Sequence, residues 1–132
     1  MGNEIKTFRD LIAWQKAMTL CRRVYELTGR FPDTERFGLI AQLRRSAVSV
    51  PSNIAEGYGR RRKQDYVRFL DVAYGSLCEV ETQLILSCEL ELAPAAKVAE
   101  CVSVLREVDR VLSALTRAVA ASDAIQRGSA KV

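Results

Sequence analysis

The chain contains no histidine, and it has only four cysteines among its 132 residues. Without histidine there is no Ser–His or Cys–His pair for nucleophilic catalysis, and the Glu-x-x-His ligands of di-iron helical bundles are excluded. The cysteines lack the spacing of zinc ligands. We therefore predict a protein that is not an enzyme and that has no metal site and no cofactor. The thiols are expected to be reduced and buried or half-buried on helices, at Cys21, Cys78, Cys88 and Cys101.

Long apolar runs are also missing from the chain. The longest are a few residues, far below the ~18 that a membrane-spanning helix requires. The first residues lack the basic start and apolar run of a signal peptide, and Met1–Lys6 lacks the serine or threonine of a myristoylation site. These absences predict a cytoplasmic protein with no membrane partner.

Proline and glycine are scarce, with three and seven residues, so long regular elements are expected. Hydrophobic residues make up 48% and charged residues 27%, a mixture typical of a globular protein. The length suits one domain with a proper core. We predict a single domain over residues 1–121 and a flexible C-terminal tail over 122–132, where the apolar pattern fades.

Apolar side chains recur at spacings of three and four residues along two segments of the first half, which predicts two amphipathic helices. The first spans about 8–28, with Thr7 and Asp10 as a capping box and Gly29 after its end. Its regular face is Leu11, Trp14, Met18, Cys21, Tyr25 and Thr28. The second is capped by Asp33 or Thr34 and is ended by two glycines. Its face is Ile40, Leu43, Ala47, Val50 and Ile54.

Pro51 lies within this second stripe, where a proline costs a helix ~3 kcal/mol or more. The stripe nevertheless passes through Pro51 without changing phase. This favours one helix kinked at Pro51 over two separate helices.

Two further segments carry the same periodicity in the second half. The third helix begins near 63–65, with Tyr66, Leu70, Ala73, Leu77, Val80, Leu84 and Cys88 on one face. An interruption at Pro94 precedes the fourth helix. Its face is Val98, Cys101, Leu105, Val108, Leu112, Leu115 and Val119, a seam like that of a coiled coil. Four such helices with short connections predict an all-α fold, an up-down-up-down four-helix bundle.

The last two helices also carry second apolar stripes, which a monomeric bundle does not need. They comprise Val104, Val111 and Ala118 on the fourth helix, and Val67, Ile85 and Leu86 on the third. Burial against another subunit would explain them, so we expect a homo-oligomer. The alternative is that each helix has one wide face toward its own core.

Charge is distributed unevenly along the chain. Residues 1–70 hold 14 Lys or Arg against 7 Asp or Glu, whereas residues 71–132 hold 6 against 9. Four consecutive cations follow the second helix, and a polyanion such as RNA fits such a surface. The candidate nucleic-acid-binding residues are Arg44, Arg45, Arg60, Arg61, Arg62 and Lys63. The alternative is a solvated loop whose charges serve solubility.

Polar residues recur along the second helix opposite its apolar stripe. We expect this polar ridge to hydrogen-bond to another helix or subunit, or to carbonyls that Pro51 leaves free. A small ligand is a further possibility, and Arg45 could instead pair with a carboxylate across an interface. The candidate interface residues are Ser49, Ser52, Asn53 and Glu56.

Three segments, Phe8–Ala17, Gln42–Arg60 and Arg68–Leu77, resemble the bacterial four-helix-bundle family named for proteins encoded in 23S ribosomal RNA intervening sequences. The resemblance covers about residues 8–92. It implies a left-handed bundle that assembles as a homopentamer and has no established catalytic residues. The family is distantly similar to the accessory protein of diversity-generating retroelements, which binds nucleic acid and a reverse transcriptase. Arg62 and Lys63 stand where the family pattern has a serine or threonine cap.

The sequence thus favours a non-enzymatic, self-assembling bundle that binds RNA or a reverse-transcriptase-like nucleoprotein through its basic surface. The alternative is a protein–protein scaffold, or a homo-oligomeric structural protein, that binds no nucleic acid.

Overall fold

The computed structural model describes residues 4–122, and these residues form four helices and no strand. The helices are α1, Ile12–Thr28; α2, Leu39–Tyr58; α3, Lys63–Glu89; and α4, Ala95–Ala121. Two short 3₁₀ turns precede α1 and α2, at Phe8–Asp10 and Asp33–Glu35. Each helix packs against the next one in sequence, and α4 packs against α1. The predicted all-α, up-down-up-down four-helix bundle is confirmed.

The core forms where the regular stripes predicted it on α2 and α4. All seven predicted residues of the α4 face are buried, from Val98 to Val119. On α2, Leu43, Ala47, Val50 and Ile54 are fully buried. Burial of large aliphatic side chains contributes about 1.5–3 kcal/mol each, so these two stripes supply much of the force that assembles the bundle.

The start of α1 differs from the prediction. The capping box is present, because the Thr7 Oγ1 accepts a hydrogen bond from Arg9 N at 3.1 Å and Asp10 Oδ2 accepts one from Thr7 N at 3.0 Å. Hydrogen bonds from backbone N–H groups also lower the pKa of Asp10. However, this box caps the 3₁₀ turn. Leu11 is extended, with ψ of 126°, and the helix begins only at Ile12.

The buried face of α1 is also rotated relative to the predicted one. The face that meets the core is Ala13, Ala17, Leu20, Cys21, Val24, Leu27 and Thr28. Trp14 and Met18 are only half-buried, and Tyr25 is exposed. Alanines let the backbone of α1 approach its neighbours closely, whereas the bulkier residues of the predicted stripe lie at the edge of the interface.

The predicted cap of α2 at Asp33 or Thr34 is wrong. Those residues belong to the 3₁₀ turn, and the chain makes further turns before α2 begins at Leu39. The N-cap residue is Gly38, which has no side chain to bond, and the Oε1 of Glu35 accepts a hydrogen bond from Leu39 N at 3.2 Å. A carboxylate at this position also complements the positive end of the helix dipole.

Helix α2 runs without interruption through Pro51, which is buried. One continuous helix is therefore confirmed, and the kink at Pro51 stays a prediction. Proline has no N–H, so it cannot donate to the carbonyl of Ala47 one turn earlier. The Cys21 thiol of α1 supplies the missing donor, with its Sγ 3.1 Å from Ala47 O. A side chain of one helix thus satisfies the backbone acceptor that proline leaves unpaired in the next.

All four cysteines are free thiols, two of them buried and two exposed. Cys21 and Cys101 are buried, and burial raises the pKa of each thiol from 9.0 to about 11. Cys78 and Cys88 are exposed, so the prediction that all four are at least half-buried is wrong for these two. Near the end of α3 the residue that faces the core is Ser87, not the predicted Cys88. Ser87 is fully buried, and its Oγ donates a hydrogen bond to Gln83 O at 2.8 Å.

The second apolar stripes are partly half-buried and partly exposed. Val67, Val104 and Val111 are half-buried against the core, as wide core-facing stripes would be. Ile85 and Leu86 remain 51% and 40% exposed. Of the predicted tail, only Ser122 is described, as the residue that follows α4; residues 123–132 lie outside the described part of the chain.

Candidate nucleic-acid interface

The predicted basic cluster occupies the short connection between α2 and α3. Helix α2 ends tightly against α3 at Gly57, where an added Cβ would lie 2.9 Å from the Cβ of Phe69. The chain leaves the helix at Gly59 and enters α3 at Lys63, after only a few residues. Arg60, Arg61 and Arg62 therefore project from a connection that is fixed at both ends, and all three are exposed.

Arg60 of this connection and Arg68 of α3 both contact one aromatic ring, that of Phe69. The guanidinium of Arg60 lies 4.6 Å from the centroid of Phe69, and that of Arg68 lies 5.2 Å from it. Arg60 also pairs with Glu56 at 2.6 Å, and Arg68 lies 3.7 Å from Asp65. These contacts hold the guanidinium planes in defined positions while much of each side chain stays in solvent.

The other cations of the connection differ in their partners. Arg62 precedes α3 and lies 3.8 Å from Asp65, and it gives α3 no side-chain cap. Arg61 makes no ion pair or hydrogen bond with any residue in the described range. Lys63 has a structural role: its Nζ donates to Ala120 O at 3.2 Å and to Ser122 O at 2.8 Å, and so satisfies carbonyls at the end of α4.

We define the basic loop surface as Arg60, Arg61, Arg62 and Arg68. It carries four guanidinium groups against the carboxylates of Glu56 and Asp65, beside an α3 N-terminus without a side-chain cap. Such an arrangement can bind phosphate groups, because both the side chains and the helix dipole attract anions. The sequence analysis places Arg68 and Phe69 in a family-like segment, but it does not select them as candidate binding residues, because they lie apart from the run of four cations.

The structure does not bring Arg44 and Arg45 to this surface, since they lie about 20 Å away along α2 at 1.5 Å per residue. Arg44 is half-buried against α1, where its Nε donates to Thr28 Oγ1 at 2.9 Å and its guanidinium covers the Tyr25 ring at 4.4 Å. Arg45 is exposed on the side of α2 that faces α3.

The polar ridge of α2 is mostly engaged with neighbouring groups. Ser49 Oγ and Ser76 Oγ of α3 share a hydrogen bond of 2.7 Å. Asn53 Nδ2 donates to Ser49 O at 2.8 Å and to Ser49 Oγ at 2.9 Å. Glu56 pairs with Arg60, and Ser52 is exposed. Of the ridge, Ser49 thus contacts α3, and Glu56 pairs with Arg60 of the basic loop surface.

Residues 4–122 contain no group of three or more acidic, cysteine or histidine side chains that could hold a metal ion. None of the helices in this range combines the length and the hydropathy that crossing a membrane requires.

Comparison with known proteins supports this architecture. No curated protein matches the sequence significantly. The fold is similar to the crystal structure of a protein of unknown function from the S23 ribosomal protein family of Bacteroides thetaiotaomicron VPI-5482, with a TM-score of 0.74 at 20% sequence identity. That match covers 80% of this chain and 99% of the other.

The family model of the 23S rRNA-intervening sequence proteins matches residues 9–114, most of the chain and all but the ends of the bundle. The match takes in α1, α2, α3 and α4 as far as Ala114. The protein is thus a member of the 23S rRNA-intervening sequence protein family.

Proposed function

We propose that this protein is a non-enzymatic, self-assembling helical bundle that binds RNA through the basic loop surface, in the cytoplasm. The observation that carries the proposal is the set of exposed guanidinium groups held around Phe69. Side chains whose positions are already fixed lose less conformational freedom when they contact phosphate, and this favours binding. RNA is a polyanion that fits such a basic surface.

The structure indicates which cations would contact RNA. Arg61 makes no ion pair within the described chain, and Arg62 keeps 74% of its side chain exposed. Lys63 is committed to the end of α4 and is a poor candidate for direct contact. We therefore expect Arg61 and Arg62 to contact phosphates, and Arg60 and Arg68, which are held at Phe69, to provide guanidinium planes on which unpaired bases can stack.

Assembly is the second part of the proposal. Exposed apolar side chains on α3, including Ile85 and Leu86, would be buried by another copy of the chain. A ring of subunits, five by resemblance to the family, would repeat the basic loop surface and hold several phosphates at once. A reverse-transcriptase-like nucleoprotein is a further partner that we propose, because its nucleic acid is a polyanion like free RNA.

A salt-dependent titration tests the RNA proposal. Binding of a fluorescent structured RNA is measured by anisotropy at several salt concentrations, with the wild type and an Arg60→Ala, Arg61→Ala, Arg62→Ala variant. Each lost phosphate contact should reduce the slope of log affinity against log salt by about 0.7–0.9. The wild type should bind at low salt, and the variant should bind more weakly with a shallower slope.

A matched control variant removes the same charge elsewhere, with Arg22→Ala, Arg30→Ala and Arg36→Ala, all of which are exposed and distant from the α2–α3 connection. It should retain the wild-type slope. Absence of binding at low salt, or equal losses in the two triple variants, would overturn the assignment of the basic loop surface.

A scaffold without nucleic-acid binding is the second candidate function. It is favoured by the carboxylates of Glu56 and Asp65, which neutralise part of the basic loop surface, and by the apolar side chains left exposed on α3. It predicts a stable oligomer by light scattering together with no RNA affinity at low salt.

A further inference from the structure

A polar groove of about 280 Å³ runs along the surface between α2 and α3. This volume is close to the lower end of the ~300–1,000 Å³ that small-molecule sites occupy, so it suits a ligand of few atoms. Every residue that lines the groove is polar or charged: Gln42, Arg45, Ser46 and Ser49 on α2, and Glu79 and Gln83 on α3. The groove therefore suits a polar ligand better than an apolar one.

Residues of the two helices meet along one short stretch of this groove. The helices are antiparallel, and the hydrogen bond between Ser49 Oγ and Ser76 Oγ fixes their register. One turn earlier on α2 and one turn later on α3, this register puts Ser46 level with Glu79. A further turn along, the two glutamines that line the groove are level with each other.

The groove holds one positive and one negative side chain that are not joined. Arg45 and Glu79 are both exposed, and neither makes an ion pair or a hydrogen bond with any of residues 4–122. Elsewhere, opposite charges on facing helices do pair, as Lys16 of α1 does with Glu107 of α4 at 2.9 Å. Arg45 and Glu79 are therefore open to the two charges of a ligand.

Two further groups at the groove lack the hydrogen bonds that buried polar groups normally make. Ser46 is only 7% exposed, and its hydroxyl forms no hydrogen bond within the described part of the chain. Gln83 Oε1 is buried, and no group of residues 4–122 donates to it. The terminal torsion of glutamine has a broad preference, so this amide can turn toward a donor in the groove at little cost. A ligand would supply the partners that the chain itself does not.

We propose that this groove binds a free α-amino acid with a polar side chain. The ligand carboxylate accepts hydrogen bonds from the guanidinium of Arg45 and from the hydroxyl of Ser46. The ligand ammonium group pairs with the carboxylate of Glu79 and donates to Gln83 Oε1.

The charges of the groove favour a zwitterion over a ligand of one sign. One guanidinium and one carboxylate give the lining no net charge. Glu79 would repel a phosphate group, and Arg45 would repel a polyamine. The inference depends neither on RNA binding nor on assembly.

Saturation-transfer-difference NMR titrations of the full chain test the proposal. L-Glutamine and L-serine are the ligands, one with a long and one with a short polar side chain. Two analogues of L-glutamine each lack one charge: N-acetyl-L-glutamine has no ammonium group, and L-glutaminamide has no α-carboxylate. The amino acids should bind saturably. Each analogue should bind about tenfold more weakly than L-glutamine or worse, because it loses hydrogen bonds to a charged group.

Variants then assign each ligand charge to its side chain. Arg45→Gln should weaken the binding of L-glutamine about tenfold and leave that of L-glutaminamide unchanged, since this analogue has no α-carboxylate to lose. Glu79→Gln should weaken L-glutamine in the same way and leave N-acetyl-L-glutamine unchanged. Arg22→Gln and Asp71→Asn, at exposed residues outside the groove, are matched controls and should bind as the wild type does. Circular dichroism establishes that every variant is folded.

The contrary outcomes are equally definite. Absence of saturable binding of both amino acids to the wild type overturns the proposal, and so does equal binding of L-glutamine and its two analogues. Binding that is unchanged in Arg45→Gln and Glu79→Gln refutes the assignment of the groove. None of these results bears on the RNA titration, because the groove lies apart from the basic loop surface.

Discussion

The Cys21 thiol should stabilise the fold because of Pro51, and not because of its own packing alone. Its Sγ lies 3.1 Å from Ala47 O, the carbonyl that a residue with an N–H at position 51 would satisfy. The informative perturbation is Cys21→Val, which fills a similar volume without a donor. In the Pro51→Ala background the new backbone N–H can donate to the same carbonyl, so the thiol should become dispensable.

The expected magnitudes follow from burial. A buried acceptor that loses its hydrogen-bond donor costs about 1–3 kcal/mol. Cys21→Val should therefore lower the free energy of unfolding by about that amount in the wild-type background, and by only a few tenths of a kcal/mol when Pro51 is alanine. The difference is the coupling energy between the two positions. With a urea m-value of about 1–3 kcal/mol/M, the first change shifts the midpoint by roughly 1 M.

The assay is urea unfolding of the four variants, followed by circular dichroism in reducing buffer at one fixed protein concentration. Reducing conditions keep the thiols free, and a fixed concentration removes differences that arise from assembly. Equal costs of Cys21→Val in the two backgrounds, within about 0.5 kcal/mol, would show that the thiol acts through packing and would refute the reasoning.

Three further predictions concern single positions and pH. Lys63→Ala should lower stability by about 1–3 kcal/mol and speed hydrogen exchange in the last turn of α4, since two hydrogen bonds to its carbonyls are lost; Arg61→Ala should change neither quantity. Gly57→Ala should destabilise the fold by about 1–3 kcal/mol, because the new Cβ would lie 2.9 Å from the Cβ of Phe69 in α3. Gly75→Ala, which places its Cβ in open space, should leave the stability unchanged or raise it by up to about 1 kcal/mol. Thermal unfolding measures both. The buried thiols keep their protons to a pKa of about 11 in the folded state against 9.0 when unfolded, so the stability that they contribute is present below pH 9 and is lost toward pH 11. Unfolding across this range should show a smaller loss for Cys21→Val than for the wild type.

The sequence predicted the bundle well where large aliphatic residues mark the core. Helix α4 carries a strict seam of such residues, and every one is buried. Helix α1 was harder, because its core face is built partly from Ala13 and Ala17, which give a weak periodic signal. The larger Trp14 and Tyr25 gave a clearer pattern that lies at the edge of the interface. A prediction that follows the large side chains therefore selects a face of α1 that is rotated from the one that is buried.

The candidate site was predictable only in part, because its chemistry depends on contacts between helices. A run of four cations is visible in the sequence, but the separate role of Lys63 depends on the end of α4, which is 57 residues away in the chain. Arg44 was grouped with the basic residues by charge, although Thr28 and Tyr25 of α1 hold it. Charge is a property of the residue, whereas its availability to a ligand depends on the tertiary structure.

The bond from Lys63 to the last carbonyls of α4 has a practical consequence for experiments on this protein. It holds Ser122 beside the α2–α3 connection, and the alternation of the bundle puts the beginning of α1 at the same end. Fluorophores attached at Ser122 or at the beginning of α1 would therefore lie next to the basic loop surface and would shield it. Labels attached at residues 30–37, which join α1 to α2 at the opposite end, would leave that surface free.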